Sequence, residues 1–444
     1  MTTAVKNACL FLIVACLIAG TGFIQSWNTA LFIVNMGLIS AIMALGVNLQ
    51  WGFAGLFNVG IMGFVALGGL ASVLISMPPT EGAWAAGGLH VLLGLALGAT
   101  TVTAAILVQA RLISGRTKTA STLAILIIGF FLFRYVFDGG VNAIEAVDSS
   151  STGYLGGLNF GGENYKDWGF MTLVSWPVGG VLAAGVAWLI GKTALGLRSD
   201  YLAIATLGIS EIIIAVMKNE DWLARGVKNV IGLPRPVPYE IDLQESASFV
   251  ERAASIGVDP VTASSIVVKL GYAGLFSVVL VIVLVLAQLA LASPWGRMMR
   301  AIRDNEVAAA AMGKNVTARH LQIFILGSAI CGVAGAMMTT LDSQLTPASY
   351  QPLRFTFLIW VMVIVGGSGN NFGSVLGGFL IFFLWVQVEP IGAFLMYAIT
   401  AGMAEDNGLR IHLLESVAHM RLLTMGMILI LVLRFAPKGL IPEK

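Results

Sequence analysis

SPWGRMMRAIRDNEVAAAAMGKNVTARH, residues Ser293 to His320, is a charged, helix-forming island between two long apolar stretches. Through Arg319 it carries five Lys/Arg and two Asp/Glu. Ser293 followed by Pro294 predicts a helix start, with the serine oxygen as cap and proline at the first position. Met298 to Met312 is rich in strong helix formers, and Gly313 suits a left-handed stop after the last turn. One short helix is therefore expected in a polar loop. Its segment Val307 to Met312 is small and smooth, nearly all alanine. A helix lying on lipid, snorkelling its arginines to headgroups, would favour Leu, Phe and Trp on its apolar face. A small apolar patch flanked by Arg303, Asp304 and Glu306 better suits a protein cleft.

Outside this island the chain is nearly uncharged. Of 444 residues, 57% are hydrophobic and 11% charged, against about 25% charged in soluble domains. No soluble interior could hide that much apolar side chain, so the solvent must be lipid. Apolar stretches of helical length recur at 7–26, 29–50, 59–77, 85–110, 120–138, 172–190, 201–217, 270–292, 320–340, 355–368, 372–390 and 422–433. The tenth is short for a full crossing. The expected fold is all-α, a polytopic transmembrane helical bundle of about 10–12 spans forming a single domain over 1–444. Asn7 to Ile24 is read as the first span, being long for a signal peptide and lacking a clear cleavage site. Gly94–Gly98 and Gly373–Gly377 fit GxxxG spacing, a weak signal in a chain with 52 glycines.

Loop charge sets the expected orientation. With the N-terminus in the cytoplasm, fourteen of the 25 basic residues fall in short cytoplasmic connections, as the positive-inside rule requires. Loop 293–319 and both termini are then cytoplasmic, and the long loops 139–171 and 218–269 lie outside. The second holds PRPVP (Pro234 to Pro238), a stiff extended stretch, and a run from Gln244 to Ile256 that suits a short surface helix. These loops are either solvated connectors or a docking surface for an external partner.

The residues of chemistry are scattered. The four histidines, His90, His320, His412 and His419, form no cluster, and no metal-ligand spacing appears. Cys9, Cys16 and Cys331 lie in apolar runs and read as small hydrophobes. Gly191-Lys192-Thr193 resembles the end of a phosphate loop, but the required earlier glycine falls at Val186 and the segment ends an apolar helix. The chain is therefore expected to be no enzyme and to need no cofactor or metal. Nucleic acid is excluded as a partner by the lack of a basic stripe with interleaved aromatics.

Two glycine-rich stretches interrupt the apolar pattern: Trp51-Gly52-Phe53-Ala54-Gly55, with Asn48, Gln50 and Asn58 beside it, and Gly366-Gly367-Ser368-Gly369. Irregular backbone at membrane depth survives only where it is buried in protein or lines a cavity. Both are either tight turns between helices or parts of a translocation pathway. Glu211, near the middle of the 201–217 span, is expensive there if charged. It is either protonated and hydrogen-bonded to a neighbouring helix or faces a wet pathway.

RAIRDNEVAAAAMGKNV resembles the coupling loop of permease subunits of branched-chain amino acid ABC importers, the LivM type. The EAA-x3-G pattern of ABC permeases is partly present: with Gly313 in register, Val307, Ala308 and Ala309 fill its first slots and Glu306 lies one position early. ALGVNLQWGFAGLFNVG (Ala44 to Gly60), RSDYLAIATLGISEII (Arg198 to Ile213), VMVIVGGSGNNFGSVLGG (Val361 to Gly378) and LRFAPKGL (Leu433 to Leu440) are similar to further segments of that family. The resemblance covers roughly 30–75 and 195–444, leaving 111–190 as an apparent extra helix pair and loop. It implies an importer permease in the bacterial inner (cytoplasmic) membrane, paired with a homologous second permease. It further implies two ABC ATPase subunits that supply ATP hydrolysis and a periplasmic substrate-binding protein. The ATPases would grip Arg300, Arg303, Asp304, Asn305, Glu306, Ala308, Ala309 and Gly313. Asn48, Gln50, Trp51, Gly52, Gly55, Asn58, Glu211, Gly366 and Gly367 are candidates for the pathway. The cargo would be branched-chain amino acids or related small polar solutes. The alternative is a stand-alone secondary transporter or channel, whose usual cluster of intramembrane charges is reduced here to Glu211 and Arg134. A membrane-embedded enzyme has still less support.

Overall fold

The computed structural model describes residues 3–77, 82–111, 115–147, 169–405 and 407–443. Every expected apolar stretch contains a helix. Among the described residues, ten helices are long and apolar enough to cross a membrane, and two apolar ones, Ile61–Ser76 and Pro352–Gly366, are shorter. The short pair, 16 and 15 residues long, rise about 22–24 Å, less than the roughly 30 Å hydrocarbon core. In chain order the principal helices are α1 (Thr3–Ile24), α2 (Trp27–Val47), α3 (Ile61–Ser76), α4 (Leu89–Arg111), α5 (Arg116–Glu145), α6 (Phe170–Ala194), α7 (Ser199–Asn219) and α8 (Pro260–Ala292). They continue with α9 (Pro294–Asp304), α10 (Glu306–Ala311), α11 (Val316–Asp342), α12 (Pro352–Gly366), α13 (Asn371–Thr400) and α14 (Met420–Phe435).

Apolarity cannot choose helix neighbours in lipid, because lipid tails are as apolar as leucine; small residues that let backbones touch can. The centre of the bundle is built this way from α2, α3, α6 and α11. A Cβ added at Gly46 would lie 2.7 Å from the Gly327 carbonyl oxygen, and one at Gly327 would lie 2.6 Å from that of Gly46. Gly68 and Gly335 meet the backbone of the α3–α11 crossing, and a Cβ on Gly332 would lie 2.5 Å from the Gly179 oxygen of α6. α6 thus belongs to the central bundle, and the sequence reading that placed it in an extension is corrected on this ground. Gly94 packs against Phe137 and Gly377 against the Met362 carbonyl, so both GxxxG pairs sit at helix crossings.

The periphery follows the opposite rule. α4 and α5 pack mainly on each other, with a satellite core of Ala83, Val91, Phe137, Ile144 and Trp222. Their outer faces expose leucine, isoleucine and phenylalanine, as a lipid solvent permits. α5 runs on to Glu145, so the start of the expected loop 139–171 is helical; residues 148–168 of that loop lie outside the described residues. Segment 218–269 is tied to the bundle at several points while most of its side chains stay at least partly exposed. Its strand β1 (Val230–Ile231) pairs antiparallel with β2 (Gln344–Leu345) after α11. Thr172 Oγ1 donates to the Pro234 carbonyl at 2.9 Å. Arg235 donates to Ser343 Oγ and pairs with Glu240, both at 2.8 Å. Short helices cover Glu240–Glu245 and Ala247–Ser255.

The glycine crossings make a graded prediction. Gly335→Ala pushes a methyl into the Val65 backbone and should destabilise the protein by about 1–3 kcal/mol. Gly185→Ala, with nothing within 4 Å of the new methyl, should be neutral or stabilising by up to about 1 kcal/mol. Thermal unfolding in detergent separates the two; equal melting temperatures would contradict the packing.

Candidate functional site

The basic loop forms two helices instead of one. α9 ends at Asp304, the backbone extends at Asn305 (φ −156°, ψ 97°), and α10 begins at Glu306. Asn305 is the residue that restarts the helix: its Oδ1 accepts from the Ala308 N–H at 2.9 Å, a side-chain N-cap. Ser293 does not cap α9; its Oγ donates to the Ala290 carbonyl at 2.6 Å, closing the end of α8. Pro294 does occupy the first helical turn. Gly313 is left-handed (φ +75°), and Lys314 N–H donates to the Ala309 carbonyl at 3.2 Å, the wrap-around closure expected of such a stop.

α9 is sharply two-sided. Gly296, Met299 and Ile302 are buried, while Arg297, Ala301 and Asp304 are exposed. α10 shows no fully buried residue. Val307 and Met312 stand 80% and 79% exposed, with only Ala309 half-buried. α10 thus presents a small exposed apolar knob on a polar loop.

Arg303 ties α9 to the rest of the chain. Its Nη1 donates to the Gly52 carbonyl at 2.5 Å and to Glu443 Oε2 at 2.8 Å, and Nε reaches the neighbouring Asp304 Oδ1 at 3.1 Å. Burial works against its charge, but the hydrogen bonds and charges of Glu443 and Asp304 outweigh it, so the guanidinium titrates above its ordinary value. Gly55, left-handed at φ +72°, lies against the Arg303 side chain.

Behind Arg303 the two glycine-rich breaks meet. α2 continues into a single wide turn, Asn48–Gly52, and the chain then runs irregularly to α3. Asn48 Nδ2 donates to Asn371 Oδ1 at 3.0 Å, and Asn48 Oδ1 accepts from the Gly369 N–H at 2.9 Å. The segment after α14 lies along the α12–α13 turn, with Leu440 and Ile441 N–H groups on the Val365 and Gly366 carbonyls, each at 2.9 Å. Asn370 Nδ2 donates to the Pro442 carbonyl at 3.1 Å. Gly367 (φ +122°) has no room for a side chain, because a Cβ would strike the Ile441 carbonyl.

A second polar knot lies deeper. Gln50 Nε2 donates to the Phe324 carbonyl at 2.9 Å and to Ser328 Oγ at 3.1 Å, fastening the break to α11. Asn58 Nδ2 donates to Gln50 Oε1 at 3.0 Å, and Trp360 Nε1 donates to the Asn58 carbonyl at 3.2 Å. Trp51 and Phe57 stack edgewise and tilted on Trp360, with centroids 4.7 and 4.6 Å apart.

Asn48, Gln50 and Asn58 are all buried, and their amides cross-link segments within this chain. Gly52, Gly366 and Gly367 share that packed junction. Of the other pathway candidates, Trp51 is half-buried against Trp360, and Gly55 sits on Arg303. Glu211 lies apart. It is on the exposed face of α7, on a stripe with Tyr201, Ile204, Gly208 and Ile212. Among the described residues it has no hydrogen-bonding or ionic partner, which removes the interhelical bond within this chain. Asn371, Ser328, Trp360 and Glu443 leave no local mark in the sequence, because their partners lie between 140 and 323 positions away.

Many apolar spans, a centre of glycine crossings and a protruding basic loop define a multi-pass helical membrane protein. The model of the family "Branched-chain amino acid transport system / permease component" matches residues 149–433, and the chain belongs to that family. The match takes in α6 and leaves α1 to α5 outside it. Curated relatives include the high-affinity branched-chain amino acid transport system permease protein LivM of Escherichia coli K12. It is 26% identical over 284 residues, covering 63% of this chain and 59% of that protein. The probable branched-chain amino acid transport permease protein LivM of Methanocaldococcus jannaschii is 25% identical over 268 residues, covering 60% of this chain and 67% of that protein. The chain thus matches about three-fifths of the length of the first of these relatives. No solved structure matches.

The Asn48 junction can be tested by a mutant cycle. Asn48→Ala leaves the buried Gly369 N–H without its acceptor and Asn371 without its donor, a loss of about 1–3 kcal/mol. Asn371→Ala removes one of the same bonds, so the double variant should cost less than the sum of the singles. Strict additivity in thermal unfolding would show that the two amides do not communicate.

Proposed function

We propose that the chain is one permease subunit of an ATP-driven ABC importer, with the basic loop as the handle of a separate motor. It would sit in the bacterial inner membrane with loop 293–319 and both termini in the cytoplasm. Two ATPase subunits would grip the handles of this permease and of a homologous second one. A periplasmic binding protein would deliver cargo to the outer loops 139–171 and 218–269. The cargo is taken to be branched-chain amino acids or related small polar solutes, in line with the names of the relatives.

The observation that carries this reading is Arg303 with its three partners. A loop that merely joined α8 to α11 would need no bonds to the α2 break or to the segment after α14. Motion of α9 would instead pass directly to the Gly52 backbone after α2 and, through Glu443 and its segment, to the α12–α13 turn. Val307 to Met312, exposed and small, would enter the ATPase cleft, and Arg300, Asp304, Asn305 and Glu306 would frame its mouth. The unpartnered Glu211 fits the same reading: a carboxylate on an outward face of α7 is costly in lipid, and a second permease packed on that face would give it a wet or protein-lined setting.

Ala309→Trp combined with Gly313→Trp should leave membrane insertion and yield intact. It should abolish both co-purification with the system's ATPases and substrate uptake. Uptake at the unmodified level would refute the docking role. A cysteine at Val307, 80% exposed, should react with an impermeant maleimide only when the cytoplasmic face is open; labelling from outside intact cells would invert the topology and end the proposal.

A further inference from the structure

The segment after α14 does something that the importer reading does not require. It leaves the helix, turns at Gly439 (φ +76°), and runs back over the α12–α13 turn. Two backbone hydrogen bonds fix it there, Ile441 is buried at 1% exposure, and the Asn370 amide holds Pro442. The shape of the turn admits nothing bulkier. Gly439 lies against the Gly367 backbone, and a Cβ on Gly369 would come within 2.7 Å of Glu443 Oε2. Glu443 is thereby aimed at Arg303. Among the described residues this is the only ion pair between the basic loop and any other part of the chain. Arg297, Arg300 and Lys438 line a cavity of about 780 Å³ beside it and form no ion pair among the described residues, so it is position, not shortage of cations, that selects Arg303.

We infer that segment 436–443 is a clasp and that Glu443 is a positioning residue for energy coupling. Arg303 sits at one node, with Gly52 on one side and Glu443 on the other. Through Glu443 it grips the α12–α13 turn; through Gly52 it grips the α2 break. Asn48 joins those two grips from behind by its bonds to Asn371 and Gly369. The result is a closed ring of contacts in which a displacement of α9 must move α2, α12 and α13 together. Open the ring at Glu443, and α9 keeps its seat on the end of α8, the Trp295–Gln322 bond to α11 and the Gly52 bond, none of which reaches the α12–α13 turn. The α12–α13 turn then follows α9 only indirectly, through Gly52 and Asn48, and the stroke that reaches it is weakened. The pair is partly exposed, at 24% and 29% of the two side chains, so its contribution to overall stability is small. Its value lies in transmission.

This inference rests on the importer reading, and the experiment separates the two. The complete transporter is assembled with its ATPases, and uptake and ATP hydrolysis are measured together for the unmodified chain, Glu443→Gln, Glu443→Asp, Arg303→Glu, Glu443→Arg and the exchange that combines the last two. The clasp predicts that Glu443→Gln assembles normally and melts within a degree or two of the parent. It should still hydrolyse ATP, but import at least about fivefold less substrate per ATP, the low end of a coupling free energy between sites. Glu443→Asp should recover part of the ratio. The exchange should exceed either of its single components, although it sacrifices the Gly52 bond. An unchanged uptake-to-ATP ratio in Glu443→Gln would overturn the clasp, and so would a loss of uptake and hydrolysis in equal proportion with a lowered melting temperature. If the unmodified chain fails to assemble with any ATPase, the importer reading falls. The clasp is then judged by proteolysis of segment 436–443: faster cleavage in Glu443→Gln, restored protection in the exchange, supports it, and equal cleavage in all variants rejects it.

Discussion

Lipid offers no hydrogen bonds. A helix satisfies its own backbone, but every place where a helix stops inside a bundle releases N–H and C=O groups that only protein can meet. This chain interrupts two of its most buried helical paths, after α2 and after α12, and the consequences organise the molecule. The amides of Asn48, Gln50, Asn58 and Asn370 are spent on the released groups and on one another. Two of the helices bordering the breaks, α3 and α12, are too short to span the hydrocarbon alone; α3 is almost wholly buried, and ten of the fifteen residues of α12 are buried. Shortness is tolerated because protein, not lipid, surrounds them.

The same constraint explains why glycine is used so freely at the centre and so little purpose attaches to it at the edge. Where α2 crosses α11 and α3 crosses α11, carbonyl oxygens lie where a Cβ would stand. Backbone contact of this kind fixes helix positions without any hydrophobic driving force. At Gly185, Gly208, Gly274 and Gly426 nothing lies within reach of an added methyl, and no packing argument applies. A glycine count therefore says little, whereas the opposing carbonyl says a great deal.

Much of the architecture was legible in the residues. Each apolar stretch predicted a helix, and length marked the tenth, α12, as short; α3 read as a full span over 59–77 and is shorter because its helix begins only at Ile61. The left-handed stop at Gly313 and the helix start at Pro294 were legible because they depend on one residue's own dihedral preferences. Failures occurred where the decision is made by something distant. Ser293 was free to cap α9, but the open carbonyl at the end of α8 captured its hydroxyl instead. Met298 to Met312 has the propensity for one helix, yet Asn305 divides it, its side chain satisfying the second start. α6 reads like any apolar span; only its glycine contact with α11 makes it central. Glu443 and Asn371 carry no local pattern at all, and their partners lie 140 and 323 positions away.

The arrangement also bears on what kind of motion the junction permits. A hinge needs backbone that can change its dihedrals without stranding polar groups. The breaks after α2 and α12 look like hinges in sequence, being rich in glycine, but in the fold their donors and acceptors are committed to named partners. Rotating Gly369 would strand its N–H from Asn48, and lifting the turn would strand the Leu440 and Ile441 amides. Each stranded group in a dry site costs on the order of 1–3 kcal/mol, so several together make bending at the breaks far dearer than moving the junction as a block. On the proposed reading, the flexible element is then the Asn305 kink, where α10 meets α9 in water and a lost cap is replaced by solvent. A motor gripping α10 would first take up that slack and then drive α9, Arg303 and the breaks as one body. Glycine-rich sequence here encodes close fit, and the rigidity follows from what the fit allows to be bonded.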